Sequence, residues 1–360
     1  MIERRIDEFH YYVNERKASS IYLEPQTLSR LKEDGCDLSI TAISHYLREK
    51  STMYRPILLT WDMTSRCNFD CPFCYIRDNI DCSEISFEDA KDVIDNLVEE
   101  GLFEVYLSGG ECLIVKDFER IYRYLKEKGV FVTIFTNGSL IGEKLLECWK
   151  EFPPSSVEIT LYNDDFNSAP FVNLLKLKEM GIFVLPKFTL TSTTLEYYEQ
   201  VKKWLEDHGM ILAADANITD GVDEKHSNIE NKFALSDELK KKYTPYKYKE
   251  TNRKSTIRTG FPCKSKKGIV HIDSRFKMSI CNKMKIRWNL KEINAHTAMN
   301  ELRTLINKYE KTQLNGCNGC EYSKHCNMCF VNAQCVDGKL YVPQGHCEVI
   351  KSKWANLLED

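Results

Sequence analysis

The sequence predicts an α/β fold built on a parallel sheet, on two observations. From residue 56 to about 217, six short apolar runs alternate with five amphipathic stretches. The runs are continuous rather than alternating, as in strands buried on both faces, and such strands joined by helices make a parallel sheet. With 42% hydrophobic residues the chain can fill a core, and its 360 residues correspond to about two domains.

In chain order the expected strands are PILLTWD (56–62), FEVYLS (103–108), VFVTIFT (130–136), SVEITLY (156–162), IFVLPKFTL (182–190) and ILAADAN (211–217). The helical stretches between them cover 87–100, 116–128, 142–152, 169–180 and 194–207, several with apolar residues at i, i+3, i+4 and i+7. Ser86 and Thr194 stand where helix N-caps belong. Right-handed crossovers curl six such units into part of a barrel or lay them out as an open doubly wound sheet. In both, chemistry belongs at the C-terminal ends of the strands.

The flanks differ from this core. Residues 1–55 read as a polar, helical N-terminal extension, clearest at LEPQTLSRLKEDG and ITAISHYLREK. Residues 218–262 lose the strand–helix rhythm and read as a linker; 240–258 hold eight basic residues and one acidic, a solvated stretch or a docking surface for an acidic segment. Residues 263–350 are rich in cysteine, and 351–360 form a tail. Lys+Arg 50 against Asp+Glu 53 leaves a net charge of −3, so no global field draws nucleic acid or a membrane surface. The polar start opens no apolar segment of the signal-peptide kind, and no run approaches the ~20 apolar residues of a membrane span. The expected location is the cytoplasm.

Fifteen cysteines then demand explanation. Without a secretory signal, metal ligation or catalysis explains them better than disulfides. Cys67, Cys71 and Cys74 form CxxxCxxC directly after the first strand, and Cys263, Cys281, Cys317, Cys320, Cys326, Cys329, Cys335 and Cys347 crowd the C-terminal region. Cys36, Cys82, Cys112 and Cys148 stand alone and read as small buried hydrophobes. Three thiolates in one loop suit three irons of a [4Fe–4S] cluster and leave the fourth iron open. Zinc would need a fourth ligand from far away.

WDMTSRCNFDCPFCY resembles the signature of the radical SAM superfamily, CxxxCxΦC, with Phe73 as its aromatic. The resemblance implies a [4Fe–4S] cluster on Cys67, Cys71 and Cys74 whose open iron chelates S-adenosylmethionine. Reduction there yields a 5′-deoxyadenosyl radical that abstracts a hydrogen atom, and the protein positions and shields the cofactor. Gly109-Gly110-Glu111, ending the second strand, is similar to the family's GGE motif, which contacts the SAM amino group. Two glycines allow close backbone approach to a ligand, and a carboxylate pairs with an ammonium. Thr136-Asn137-Gly138 is similar to the family's TNG, placing polar side chains within reach of the ribose; Thr160 and Lys187 are further candidates for ribose or the SAM carboxylate.

The C-terminal cysteines resemble the SPASM extension of radical SAM enzymes, which usually carries two auxiliary [4Fe–4S] clusters. CxxCx5C is matched at Cys317, Cys320 and Cys326; CxxC at 326–329 replaces CxxxC, and Phe276 replaces a glycine common in the family. By the family's interleaved ligation Cys263, Cys281 and Cys329 hold the first auxiliary cluster, and Cys317, Cys320, Cys326 and Cys347 the second. Cys335 completes the first, leaves it an open iron, or is a free thiol. A zinc ribbon remains the alternative reading of the paired CxxC.

The resemblance implies a partial (β/α)6 TIM-like barrel with a small Cys-rich Fe–S C-terminal domain. It implies an enzyme that matures a ribosomally made peptide by a thioether or carbon–carbon crosslink. Alternatives are a sulfatase-maturing, formylglycine-generating type, against which Asn282 stands where relatives tend to have an acid, and a peptide epimerase. An Fe–S electron carrier without radical chemistry is the alternative of another class; the intact GGE argues against it. Implied partners are the precursor peptide, an external flavodoxin- or ferredoxin-type electron donor, and a leader-binding element. That element is a separate protein, a partial one within residues 1–55, or, last in preference, the basic linker.

Overall fold

The structure, a computed structural model, describes residues 1–13, 21–50, 54–74, 84–216, 232–243, 268–282, 284, 286–310, 320, 334–336, 339–341, 347 and 348. Six strands form in the expected places: β4 (Leu58–Asp62), β5 (Glu104–Ser108), β6 (Phe131–Thr136), β7 (Ser156–Leu161), β8 (Val184–Thr189) and β9 (Ala213–Asp215). They pair in parallel and in sequence order. Between them run α3 (Phe87–Glu99), α4 (Phe118–Glu127), α5 (Glu143–Glu151), α6 (Ala169–Glu179) and α7 (Tyr198–Asp207). Ser86 caps α3, its hydroxyl accepting from the Asp89 N–H at 3.2 Å. Thr194 does not cap: its hydroxyl donates back to the Thr189 carbonyl at 2.6 Å and accepts from the Thr191 N–H, tightening the turn before a short 3₁₀ segment.

The helices decide between barrel and doubly wound sheet. Buried residues of α3 to α7 share one apolar core with Leu59, Trp61, Val105, Leu107, Val132, Ile134, Val157, Ile159 and Phe188, all from one face of the sheet. A doubly wound sheet carries helices on both faces. Sequential parallel strands with every crossover on one side are the barrel arrangement. The opposite face presents Thr60, Asp62, Tyr106, Ser108, Thr133, Phe135, Glu158, Thr160 and Lys187, in register across neighbouring strands.

The sheet runs past the boundary expected at residue 263. β10 (Ile269–Ile272) pairs in parallel with the outer edge of β4; β11 (Lys277–Ser279) and β12 (Trp288–Asn289) follow antiparallel, giving nine strands. The short α8 (Asp237–Tyr243) lies within the expected linker, α9 (Ala295–Glu310) joins the main core, and β13 (Gln334–Val336) pairs with β14 (Lys339–Tyr341). The β10–β11 turn explains one departure from the family pattern. Phe276 has φ 58°, in the region that favours glycine, and its ring is buried 5.9 Å from that of Trp61. Burial of an aromatic side chain is worth about 1.5–3 kcal/mol, enough to offset the roughly 1–3 kcal/mol strain of that backbone.

The N-terminal region corrects the helical expectation. Residues Ile2–Ile6 (β1), Phe9–Val13 (β2) and Ile21–Leu23 (β3) form an antiparallel sheet, followed by α1 (Pro25–Glu33) and α2 (Ile40–Lys50). The reason is period two: Arg4, Ile6, Phe9, Tyr11 and Val13 are buried while their neighbours are not. Asp7, at φ 52°, makes the two-residue turn. This module packs Tyr11, Leu31, Ile43 and Leu47 against Ile57 and Phe103, which directly precede β4 and β5, and Phe131, the first residue of β6. It therefore covers the N-terminal ends of the strands.

Arg4 fastens the module, donating to the carbonyls of Leu102 (2.6 Å) and Lys128 (2.9 Å) from a buried position. Arg4→Ala strands those carbonyls and is expected to cost about 2–3 kcal/mol in urea unfolding. A loss under about 0.5 kcal/mol would show the module held by apolar contact alone.

Candidate functional site

The loop after β4 carries Cys67, exposed, and Cys71 and Cys74, half-buried. One sulfur acceptor in this loop already has donors. The Phe69 N–H points at Cys67 Sγ (3.3 Å), and Asn137 Nδ2 lies 3.9 Å from the same sulfur. Burial pushes the Cys71 thiol up to about 11, with Cys74 and Cys67 adding to the rise, so a metal must displace its proton. Phe73 packs between Tyr162 (5.8 Å) and Phe233 (6.2 Å), and Phe69 lies 6.2 Å from Tyr162.

Gly109-Gly110-Glu111 follows β5 and runs alongside the same loop. Met63 N–H donates to the Ser108 carbonyl, Gly110 N–H to Thr64 and Glu111 N–H to Arg66, at 2.7–2.9 Å. A Cβ on Gly109 would stand 2.3 Å from Thr64 O, and one on Gly110 2.2 Å from Arg66 O. The close approach these glycines permit is thus to the cysteine loop's own backbone. Glu111 is fully buried: Oε1 accepts from Thr136 Oγ1 (2.8 Å) and Leu113 N (3.1 Å), Oε2 from Asn137 N (2.8 Å). Burial raises its pKa, opposed by these donors. Asn137 Nδ2 also donates to Asn68 Oδ1 at 2.9 Å, which ties the end of β6 to the cysteine loop. Cys112, next in sequence, is buried with its S–H 3.4 Å from the Phe135 carbonyl.

Residues 61–182, from β4 through α6, match the family described as the Radical SAM superfamily. Among curated proteins, the chain is 31% identical over 198 residues to Fe-coproporphyrin III synthase of Methanosarcina barkeri (strain Fusaro / DSM 804), 51% of this chain and 48% of that one. Over 98 residues it is 30% identical to the antilisterial bacteriocin subtilosin biosynthesis protein AlbA of Bacillus subtilis (strain 168), 27% of this chain and 22% of that one. The chain spans about half the length, or less, of the curated relatives it matches. Its fold is similar to that of Streptococcus suis SuiB solved with the precursor peptide SuiA: TM-score 0.62, 16% identity, 86% of this chain and 80% of that one.

The cysteine loop carries Cys67, Cys71 and Cys74 close together in sequence. Among the described residues no three His, Cys, Asp or Glu side chains converge as ligands of one ion do. In a [4Fe–4S] cluster each thiolate takes a different iron and the sulfurs stand apart. Thr160 and Lys187 face each other in register on β7 and β8, on the face opposite α3 to α7. Lys187 pairs with Glu158 and lies 4.7 Å from the Phe135 ring centre, so a ligand carboxylate there competes with a carboxylate of the chain.

Of the C-terminal cysteines, Cys281 is half-buried just after β11, and Cys320 and Cys347 are half-buried. Cys335 lies on β13; Cys263, Cys317, Cys326 and Cys329 lie outside the described residues, as do Cys82 and the tail. Cys148 is a buried core residue of α5, as a lone cysteine should be, and Cys36 is half-buried beside the N-terminal core.

Two groups escaped the sequence reading. Asp62 ends β4 on the face opposite α3 to α7, and His271 on neighbouring β10 sits 3.6 Å from it, its other ring nitrogen 3.2 Å from Thr60 Oγ1. Burial, with Asp273 adding, pushes the Asp62 carboxyl up to about 7 against the opposing Arg287; burial holds His271 down at about 4. The other is Tyr162, one residue beyond β7. Neither belongs to a spacing motif. Only strand register brings them to the site.

Proposed function

We propose that this chain is an enzyme that reductively cleaves S-adenosylmethionine and modifies a ribosomally made peptide, most readily by a thioether or carbon–carbon crosslink. The observation that carries the reading is the CxxxCxxC loop at the C-terminal end of β4, locked to Gly109-Gly110-Glu111, within residues that match the Radical SAM superfamily. Bound at a reduced cluster on Cys67, Cys71 and Cys74, S-adenosylmethionine supplies a hydrogen-abstracting adenosyl radical. The chain's own residues hold the cluster loop, with Phe73 packed behind it, and keep Glu111, Thr136 and Asn137 rigid beside it. Thr160 and Lys187 line the face opposite α3 to α7, where the ribose and carboxylate would lie.

A peptide substrate is supported by the subtilosin relative and by the precursor peptide seated in the similar SuiB fold. Two auxiliary [4Fe–4S] clusters complete the proposal: Cys263, Cys281 and Cys329 in one, Cys317, Cys320, Cys326 and Cys347 in the other, with Cys335 spare. Cys281 follows a strand two places from β4 in the same sheet. The electron donor is of flavodoxin or ferredoxin type and the setting cytoplasmic; no described helix is long and apolar enough to cross a membrane. A leader segment held by residues 1–50 would sit at the N-terminal ends of the strands. To reach the cysteine loop the substrate must then run the length of a strand, about 17–20 Å, or about six extended residues. The similarity to Fe-coproporphyrin III synthase favours one second reading, a porphyrin substrate.

The test is anaerobic reconstitution with iron and sulfide, then reduction with S-adenosylmethionine and measurement of 5′-deoxyadenosine. About twelve irons are expected for three clusters, and about eight in a Cys67/Cys71/Cys74→Ala variant. That variant should form deoxyadenosine only at background. Wild-type protein carrying its clusters yet making none, with or without a precursor peptide or porphyrin, would favour the electron carrier.

A further inference from the structure

One carboxyl on the face opposite α3 to α7 is paired with no cation among the described residues. On strands β4 to β8 that face carries the charged side chains Asp62, Glu104, Glu158 and Lys187. Glu158 and Lys187 pair with each other, and Glu104, at the start of β5, is only 2% exposed. Asp215, exposed on the edge strand β9, is engaged already. Asp62 is left, at the C-terminal end of β4, where folds of this kind bind their ligands. Its side chain is 21% exposed, so a ligand can reach it while most of it is shielded from bulk water.

The neighbours of Asp62 do not supply the missing charge. His271 Nε2 lies 3.6 Å from Asp62 Oδ2, beyond a good hydrogen bond, and its Nδ1 is occupied by Thr60 Oγ1 at 3.2 Å. Burial keeps this imidazole neutral down to about pH 4. Arg287 acts on Asp62 at longer range, but its guanidinium is already spent. Nη1 pairs with Asp273 (2.8 Å), Nη2 donates to the Asn282 carbonyl (2.8 Å) and Nε to that of Met284 (3.2 Å). Asp273 adds a second negative charge, and Ser108, opposite Asp62 in register on β5, carries none. A carboxylate withdrawn from water without a partner is costly, and a complementary cation offsets that cost.

We propose that Asp62 anchors a cationic side chain of the substrate, an ammonium or a guanidinium, with neutral His271 and Thr60 behind it. This rests on the reading that the substrate occupies the face opposite α3 to α7. It also divides the two substrate readings. A peptide segment with a basic residue finds a counter-charge there, whereas the carboxylates of a porphyrin meet a like charge. No covalent step is involved.

The experiment titrates n-butylguanidinium chloride into the full chain carrying 15N-labelled histidine, at pH 8. The His271 signal, identified by its loss in His271→Gln, should move and saturate. Asp62→Glu keeps the carboxylate and should still bind, while Asp62→Asn should bind about tenfold more weakly or worse. In wild type the affinity should fall about tenfold for each pH unit below about 7, as a proton replaces the cation on Asp62 while His271 stays neutral. That series needs no variant and decides the question if Asp62→Asn fails to fold. No saturating shift in wild type, or equal affinity in Asp62→Asn, overturns the proposal. Butanoate moving the same signal as strongly as the cation overturns it too. S-adenosylmethionine also carries an ammonium. Its affinity for the reconstituted chain, read by calorimetry, should be the same in Asp62→Asn; a tenfold loss would give the anchor to the cofactor and overturn the substrate assignment. A chain that makes deoxyadenosine yet shows no Asp62-dependent binding loses only the anchor. One that binds the cation yet makes none loses the radical reading instead.

Discussion

Gly110→Ala is expected to abolish cluster uptake at Cys67, Cys71 and Cys74 and to destabilise the chain by about 3 kcal/mol or more. Its new methyl would lie 2.2 Å from the Arg66 carbonyl oxygen, 2.6 Å from Arg66 C and 2.9 Å from the Ser65 oxygen. All three are backbone atoms, so no side chain can swing away. Separation of the two segments breaks the Gly110–Thr64 and Glu111–Arg66 bonds and exposes the buried Glu111 network behind them. At about 1 kcal/mol net for each lost hydrogen bond, with more for a buried carboxylate left short of donors, the estimate is a floor. Gly109→Ala should be comparable, since its methyl meets Thr64 O at 2.3 Å and its φ of 130° is one that glycine alone tolerates well. Gly142→Ala is the control: a methyl there has nothing within 4 Å, and the cost should stay near 1 kcal/mol or below. Urea unfolding and iron content read both quantities. Normal iron content in Gly110→Ala would mean that the loop can stand away from the glycine pair without losing its shape.

The glycines also mark what the sequence could say. That Gly109-Gly110 needs its freedom is legible from the residues; what approaches it is not. The structure puts the cysteine loop's backbone against both glycines. Strands β4 to β9 and their helices were legible because each apolar run is long and each stripe regular. β1 and β2 were not, because period-two burial is carried there by Arg4, Tyr11 and short apolar residues among charged neighbours, in segments of five. Phe276 was visible only as a missing glycine; its positive φ explains why glycine is suited to that turn and its buried ring why phenylalanine survives. Tyr162, Asp62 and His271 were illegible for a common reason. A sequence displays chemistry by local spacing, whereas β4 and β10 bring together residues 209 positions apart through strand pairing alone.

That pairing carries the second large effect. Asp62→Asn is expected to stabilise the apoprotein at pH 8, with the gain fading as pH falls toward 4. Folded Asp62 titrates at about 7 against an ordinary value of 3.8. A raised carboxyl loses nothing below the unfolded value. Its cost grows as pH climbs from about 4 and is complete above about 7, and the shift corresponds to roughly 4 kcal/mol. His271 works the other way. Its folded value, lowered to about 4 from 6.5, costs nothing above about 6.5 and about 3 kcal/mol once pH has fallen below 4. In the wild type the two slopes oppose one another, so their sum changes little between about pH 4 and 7. Asparagine removes the Asp62 slope and uncovers that of His271: the variant should gain stability as pH rises from 4 to 6.5. Urea unfolding of apoprotein, followed by tryptophan fluorescence, reads this without the clusters' own proton linkage. A wild-type-to-variant difference that does not widen with pH would place the Asp62 carboxyl in an ordinary, hydrated state. A widening one identifies a carboxyl kept at an energetic cost on the face opposite α3 to α7 beside the cysteine loop, and stability is surrendered in this way where a site needs the group.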